Sequence, residues 1–176
     1  MTKGLTHIYT GDGKGKTTAA MGLALRALGA GLKVMIFQFC KSQPTGELTS
    51  LSKLAPGIVR RAECGVKKFT WDMNPEEKAA WQEAQQALFD EACEAACDNQ
   101  VDLVILDEAL GAVGAGAIDP GQLAYLIGHK YRGTELVLTG RNAPAKLVEL
   151  ADYVTEMREV RHPYQAGIPA RKGIEY

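Results

Sequence analysis

With 176 residues, 46% hydrophobic and 23% charged, the chain suits one domain that buries about 70% of its unfolded surface without disulfide or metal staples. A formal net charge of -1 provides no basic field for DNA or RNA, and no apolar run approaches the ~20 residues that span a bilayer, so nucleic-acid and membrane partners are not expected. Residues 1–5 lack a signal-peptide pattern, and Cys40, Cys64, Cys93 and Cys97 include no C-x-x-C pair, which fits free thiols in a reducing cytoplasm.

Residues 6–9 are β-prone and lead into Thr10-Gly11-Asp12-Gly13-Lys14-Gly15-Lys16-Thr17-Thr18, which opens a helical pattern. Glycines let a backbone curl with N–H groups turned inward, the helix N-terminus adds partial positive charge, and Lys16 adds a point charge. The stretch therefore reads as a phosphate-binding loop for ATP or a similar ligand, with Thr17 placed to hold Mg²⁺ (or Mn²⁺). It departs from G-x-x-x-x-G-K-[ST] because Thr10 stands where the first glycine belongs. The competing reading is a glycine-rich turn with no ligand.

Ala19, Ala20, Leu23, Ala24, Ala27 and Leu28 carry helical periodicity, and Gly29 and Gly31 end it before an apolar strand over 33–39. A βαβ unit whose strand is apolar on both faces predicts an α/β fold with a mostly parallel sheet and helices on both faces. Arg26 lies on that first helix, either as a solvated charge or as a nucleotide contact. Residues 41–56 are polar, with a short helix expected from 47 to 54. This stretch begins at the sheet edge where α/β ligands collect, so Lys41 reads as a surface lysine or as a site residue. A strand is expected over 58–62. Beyond it, Phe69 and Trp71 read as core anchors or as the wall of an apolar pocket, and spacing alone favours core.

Asn74 as N-cap, Pro75 at the first helical position and Glu77 in a capping box start a long helix to about residue 99. Residues 101–108 form a buried apolar strand ending in Asp107-Glu108. Acids at that place either cap the next helix or complete a Mg²⁺ site with Thr17, and the phosphate loop favours the metal role. A helix over 120–129, a strand over 134–139 and a helix to 151 follow. Arg141 lies at the strand end on the loop's own edge, and its fork suits phosphate oxygens. A last strand is expected over 153–159. The basic, aromatic tail over 160–176 either frays or folds back. At this level the residues leave open a phosphate-loop kinase or NTPase and a non-catalytic nucleotide-binding module.

The loop, the Gln38-Phe39 strand end, Phe69-Thr70-Trp71-Asp72, Leu106-Asp107-Glu108, Thr139-Gly140-Arg141-Asn142-Ala143-Pro144, Leu150-Ala151-Asp152 and the ending Ala170-Arg171-Lys172-Gly173-Ile174-Glu175-Tyr176 occur in that order. Together they closely resemble the ATP:corrinoid adenosyltransferases of the cobalamin-pathway type, over essentially the whole chain. The resemblance implies a P-loop NTPase-like (RecA-like) domain over 1–176 that transfers the 5′-deoxyadenosyl group of ATP to the cobalt of a reduced corrinoid and releases triphosphate. Carbon, not phosphorus, is attacked, and ATP is expected to lie reversed along the loop.

By the same resemblance, Gly11, Asp12, Gly13, Lys14, Gly15, Lys16, Thr17 and Thr18 wrap the triphosphate. Lys16 and Arg141 neutralise the leaving group, and Thr17 and Glu108 hold the metal with Asp107 close by. Phe69 and Trp71 bind the corrinoid and displace its lower axial ligand, leaving four-coordinate Co(II) that is easier to reduce. Implied partners are a reduced flavoprotein as electron donor and a second copy in a homodimer. Two departures stand out: Ala109-Leu110-Gly111 follow the acids where the family commonly has polar or aromatic residues, and the chain begins without the N-terminal helix that some relatives lay over a neighbouring site.

Overall fold

The structure is a computed structural model that describes every residue except Met1, Thr2, Ser42, Lys67, Phe69 and Tyr176. Among the described residues, β1 (Thr6–Thr10), β2 (Val34–Gln38), β3 (Val59–Arg61), β4 (Leu103–Asp107), β5 (Glu135–Thr139) and β6 (Tyr153–Glu156) form one sheet in the order β3-β2-β4-β5-β1-β6. Every neighbouring pair is parallel. The C-terminal ends of all these strands therefore lie along one edge, and the residues that follow them converge there.

Successive side chains of a strand point to opposite faces, and the core divides accordingly. Val34, Ile36, Leu103, Ile105 and Val137 meet the alanine face of α1 (Lys16–Gly29) and Leu51 of α2 (Gly46–Leu54). Phe37, Val104, Leu106, Leu136, Leu138 and Ile8 meet Trp81, Leu88, Phe89 and Ala92 of α3 (Pro75–Cys97) and the apolar faces of α4 (Ala109–Gly114), α5 (Pro120–His129) and α6 (Ala145–Leu150). The inward face of α1 is Ala20, Ala24 and Ala27. Such small side chains let the helix axis approach the sheet closely, which brings the helix start, and Lys16 and Thr17 with it, against the strand ends.

The expected cap of α3 is present: Glu77 N donates to Asn74 Oδ1 (2.8 Å) and Asn74 N donates to Glu77 Oε2 (3.0 Å). The short helix α4 is not marked by caps in the sequence. Its N-cap is Glu108 in the left-handed region (φ 62°) with no side-chain cap bond, so this carboxylate is not spent on the helix it precedes.

The strand expected over 153–159 stops at Glu156. Met157 still donates to Thr10 O (2.8 Å), but its carbonyl then accepts from Gly13 N (2.6 Å). A Cβ on Gly11 or Gly13 would lie 2.5 or 2.7 Å from that carbonyl. These two glycines thus allow the chain leaving β6 to lie against the loop. The tail does fold back: Glu175 accepts from Lys14 (3.0 Å) and from the Arg171 guanidinium, which together with backbone bonds holds its carboxyl down to about 2.

Gly13→Ala is expected to destabilise the protein by about 1–3 kcal/mol through this overpacking, read from the urea midpoint; an unchanged midpoint would show that the 157–158 segment yields freely.

Candidate active site

Strand register assembles the centre of the site. Asp107 shares the α1 face with Leu103 and Ile105, and its cross-strand partner on β2 is Gln38. On β5, Thr139 shares that face with Val137, and on β3 the partner of Gln38 is Arg61. Arg61, Gln38, Asp107 and Thr139 therefore form a row across the strand ends, facing the first turn of α1.

Asp107 is fully buried. Its Oδ1 accepts from Thr17 Oγ1 (2.8 Å) and Thr139 Oγ1 (2.8 Å), and its Oδ2 accepts from Lys41 Nζ (2.6 Å) and Gln38 Nε2 (3.2 Å). A buried carboxylate needs such partners, since without them the desolvation cost is several kcal/mol. Thr139 Oγ1 also accepts from Glu108 N (2.8 Å). One hydroxyl therefore links the two acids and fixes the turn between them.

The lysine nitrogen lies 3.3 Å from Thr17 Oγ1 as well, so an ammonium sits between the Thr17 hydroxyl, an expected metal ligand, and the Asp107 carboxylate expected close to the metal. The sequence left Lys41 as a surface lysine or a site residue, and the structure places it in the site. Its position immediately past a buried strand at the ligand edge was the available signal.

Within the loop, Lys16 Nζ donates to the carbonyls of Gly11 (2.5 Å) and Gly13 (2.8 Å). Burial lowers its pKa, and the neighbouring Arg141 charge lowers it further. Lys16 and Arg141 thus set two mutually repelling cations beside the loop backbone, an arrangement whose chemistry suits an anion. The Arg141 Nε is 3.9 Å from Asp12 Oδ1. Both side chains are mostly exposed, so the contact orients more than it stabilises. Thr18 and Lys14 are exposed at the loop's outer side. The N–H of Gly13 donates to Met157 O and so points away from the loop's interior. Thr10 is the last residue of β1, and its Oγ1 accepts from Ala143 N (3.3 Å). It is strand, not loop, and left-handed geometry first appears at Gly11 (φ 96°).

Burial and then the Asp107 charge raise the Glu108 pKa, against the opposing pull of Lys41, Lys16 and Arg141. Its carboxylate rests over α4, where a Cβ on Gly111 would come within 2.6 Å of Oε1. The Ala109-Leu110-Gly111 departure thus has a local reason: a glycine at 111 leaves room for the Glu108 side chain.

Glu108 and Lys41 also line a cavity of about 720 Å³, together with Arg61, Trp71, Trp81 and Gln85. Trp71, in the 3-10 turn Thr70–Asp72, is 76% exposed, which overturns the core reading that spacing favoured. Phe69 lies outside the described residues. Arg26 is in the last turn of α1 and exposed. Ten residues of helix carry it roughly 15 Å from Lys16, so it is not brought together with the other site residues.

A family model described as ATP:corrinoid adenosyltransferase BtuR/CobO/CobP matches residues 2–176. The chain belongs to this family. The Corrinoid adenosyltransferase of Escherichia coli (strain K12) is 34% identical, with 99% of this chain and 86% of that protein covered. The Corrinoid adenosyltransferase of Pseudomonas aeruginosa is 34% identical, with 99% and 84% covered. The Corrinoid adenosyltransferase CobA of Salmonella typhimurium is 32% identical, with 99% and 86% covered. ATP:corrinoid adenosyltransferases move the adenosyl group of ATP to a Co(I) corrinoid. An α/β sheet with a glycine-rich loop and an aromatic-walled cavity at its strand ends suits both substrates. Among the described residues, no helix is long and apolar enough to cross a membrane.

Thr139→Val keeps shape but orphans Glu108 N–H and removes a donor from Asp107. A loss of about 1–3 kcal/mol is expected, measured by thermal unfolding; a change under about 0.3 kcal/mol would mean that the linking hydroxyl is dispensable.

Proposed function

We propose that the chain works as a single corrinoid adenosyltransferase domain, residues 1–176, in which the loop grips a leaving group. The supporting observation is the meeting at one sheet edge of cationic Lys16 and Arg141, the Thr17–Asp107–Glu108 group, and a cavity walled by Trp71 and Trp81. Co(I) of the reduced corrinoid attacks the ribose 5′ carbon, a cobalt–carbon bond forms, and the carbon–oxygen bond to triphosphate breaks. The electron pair leaves on triphosphate oxygen and cobalt is formally oxidised by two electrons. No water or proton is consumed, so Glu108 has no base to be.

Negative charge grows on the bridging oxygen as that bond breaks. Lys16 is held by two loop carbonyls and needs only to exchange them for triphosphate oxygens. Fixed cations already aimed at the leaving group lower the barrier because they do not have to reorganise. The loop amides of 11 to 18 other than Gly13 and the Arg141 fork complete this grip.

Mg²⁺ fits the same edge. Among the described residues, no three His, Cys, Asp or Glu side chains cluster for a metal, but hydroxyl and carboxylate oxygens are what Mg²⁺ prefers. Lys41 Nζ between Thr17 and Asp107 marks the place as one for a cation. Thr17 and Glu108 would hold the ion, Asp107 would orient Thr17, and bound Mg²⁺ would screen the triphosphate charge.

Trp71, with Phe69, is assigned to the corrinoid's lower face. An apolar wall offers cobalt no donor atom and fills the space of a ligand, favouring four-coordinate Co(II) and its reduction by a reduced flavoprotein. We assign the enzyme to the cytoplasm, as a homodimer.

Incubation with Mg·ATP and chemically reduced cobalamin is expected to yield adenosylcobalamin and triphosphate by chromatography; ADP and phosphate formed without corrinoid would overturn the reading. For Trp71→Ala, activity that starts from Co(II) and a reductant is expected to fall at least about tenfold more than activity with pre-reduced Co(I). Equal losses in the two assays would remove Trp71 from the cobalt step.

A further inference from the structure

Among the described residues, the hydrogen-bond donors around Asp107 divide by charge. Thr17, Thr139 and Gln38 are neutral, and between them they reach both carboxylate oxygens. Lys41 alone is charged, with Nζ 2.6 Å from Asp107 Oδ2 as the ion-pair partner of this fully buried group. Arg61 acts on Asp107 only through space. The neutral donors therefore fix where the carboxylate sits, while Lys41 compensates its charge.

The same ammonium lies 3.3 Å from Thr17 Oγ1. A lysine nitrogen can only donate, so it takes a lone pair of that oxygen, whose proton goes to Asp107 Oδ1. A metal ligated by Thr17 needs a lone pair of the same atom. An ammonium and a divalent ion would then stand about 4 Å apart or less, a range at which like charges in a protein repel strongly. The Lys41 charge also acts on Glu108, the other expected ligand. The two cations are alternative occupants of one set of oxygens.

Of the partners in this ion pair, only the lysine has a way out. Its side chain is 23% exposed against 0% for Asp107, and it belongs to neither β2 nor α2. Its stem is long and flexible. Asp107 keeps its three neutral donors from α1, β5 and β2 when the ammonium withdraws, so the carboxylate stays in place for the cation that follows.

We propose that Lys41 is a built-in competitor of the divalent ion: its ammonium compensates Asp107 and holds the Thr17 hydroxyl until Mg²⁺ takes its place. This rests on the metal assignment above. Free Mg²⁺ gains too few protein oxygens to break the Lys41–Asp107 pair, whereas Mg²⁺ carried by ATP adds triphosphate oxygens to its ligands. Metal is thus admitted together with the nucleotide rather than alone. Lys41 is a positioning residue whose withdrawal accompanies loading of the site.

The test is titration of the full chain with Mn²⁺ in the absence of nucleotide, followed by electron paramagnetic resonance, with thermal unfolding measured alongside. The wild-type chain is expected to bind Mn²⁺ weakly, and Lys41→Met to bind it about tenfold more tightly because the competing charge is gone. Without metal, Lys41→Met should melt below wild type and gain more from added Mn²⁺. Lys41→Arg keeps the charge and is expected to bind Mn²⁺ no more tightly than wild type. A lysine with a purely structural role has the opposite sign, so equal or weaker Mn²⁺ binding by a folded Lys41→Met would overturn the exchange. A second measurement needs no variant: acylation of Lys41 in the ATP-saturated wild-type chain, read by mass spectrometry, is expected to speed up when Mg²⁺ is added, and an unchanged rate would overturn the exchange as well. Tight Mn²⁺ binding by Lys41→Met that survives Glu108→Gln in the same chain would place the ion elsewhere, overturning the metal assignment and this inference with it.

Discussion

A fully buried carboxylate at the end of the central strand β4 is costly, and the arrangement of the site follows from satisfying it. Asp107 draws donors from the first turn of α1, from the ends of β5 and β2, and from Lys41 in the segment after β2. Those donors come from three separate stretches of chain. Because a buried charge with a missing partner costs several kcal/mol, the group holds together or fails together. Thr17 is thereby locked to the sheet, and the start of the phosphate loop's helix with it. Through Thr139 the same carboxylate fixes the backbone of Glu108.

The loop itself is held from two sides. On its inner side Lys16 binds the carbonyls of Gly11 and Gly13, a closed state that polyphosphate oxygens could replace with little movement. On its outer side the chain leaving β6 packs so closely that side chains at 11 and 13 would collide with it. The glycine pattern thus answers two demands, left-handed backbone at Gly11 and Gly15 and close approach at Gly11 and Gly13. The same spacing in a plain turn would satisfy only the first.

Fold class and loop were legible because they depend on local rules. A strand apolar on both faces, a glycine-rich turn and a helix with an alanine stripe state a parallel βαβ unit within the first forty residues. The capping box at Asn74 and the acids ending β4 were equally local signals. From spacing alone Lys41 and Arg26 stayed open between two readings and Trp71 read as core, for a common reason. Each is a long or large side chain whose role depends on which distant element lies opposite it. Spacing favoured the core for Trp71 and only the family resemblance pointed elsewhere; the 3-10 turn carrying it lines the cavity. Arg26 shares a helix with Lys16, and only the length of that helix removes it from the site. The short helix α4 escaped notice because its N-cap residue keeps its side chain for the cavity instead of the helix.

By itself the sequence determined the parallel α/β architecture, the phosphate loop at the ligand edge, and membership of the ATP:corrinoid adenosyltransferases through motifs spread over its whole length. Tertiary structure alone decided which groups meet. Sheet order put β4 and β5 between β2 and β1, and register then aligned Arg61, Gln38, Asp107 and Thr139 in one row. Such alignments rest on pairings between residues as far as 146 positions apart, such as His7 with Tyr153. No local propensity encodes them; they follow from burying both faces of the sheet at once.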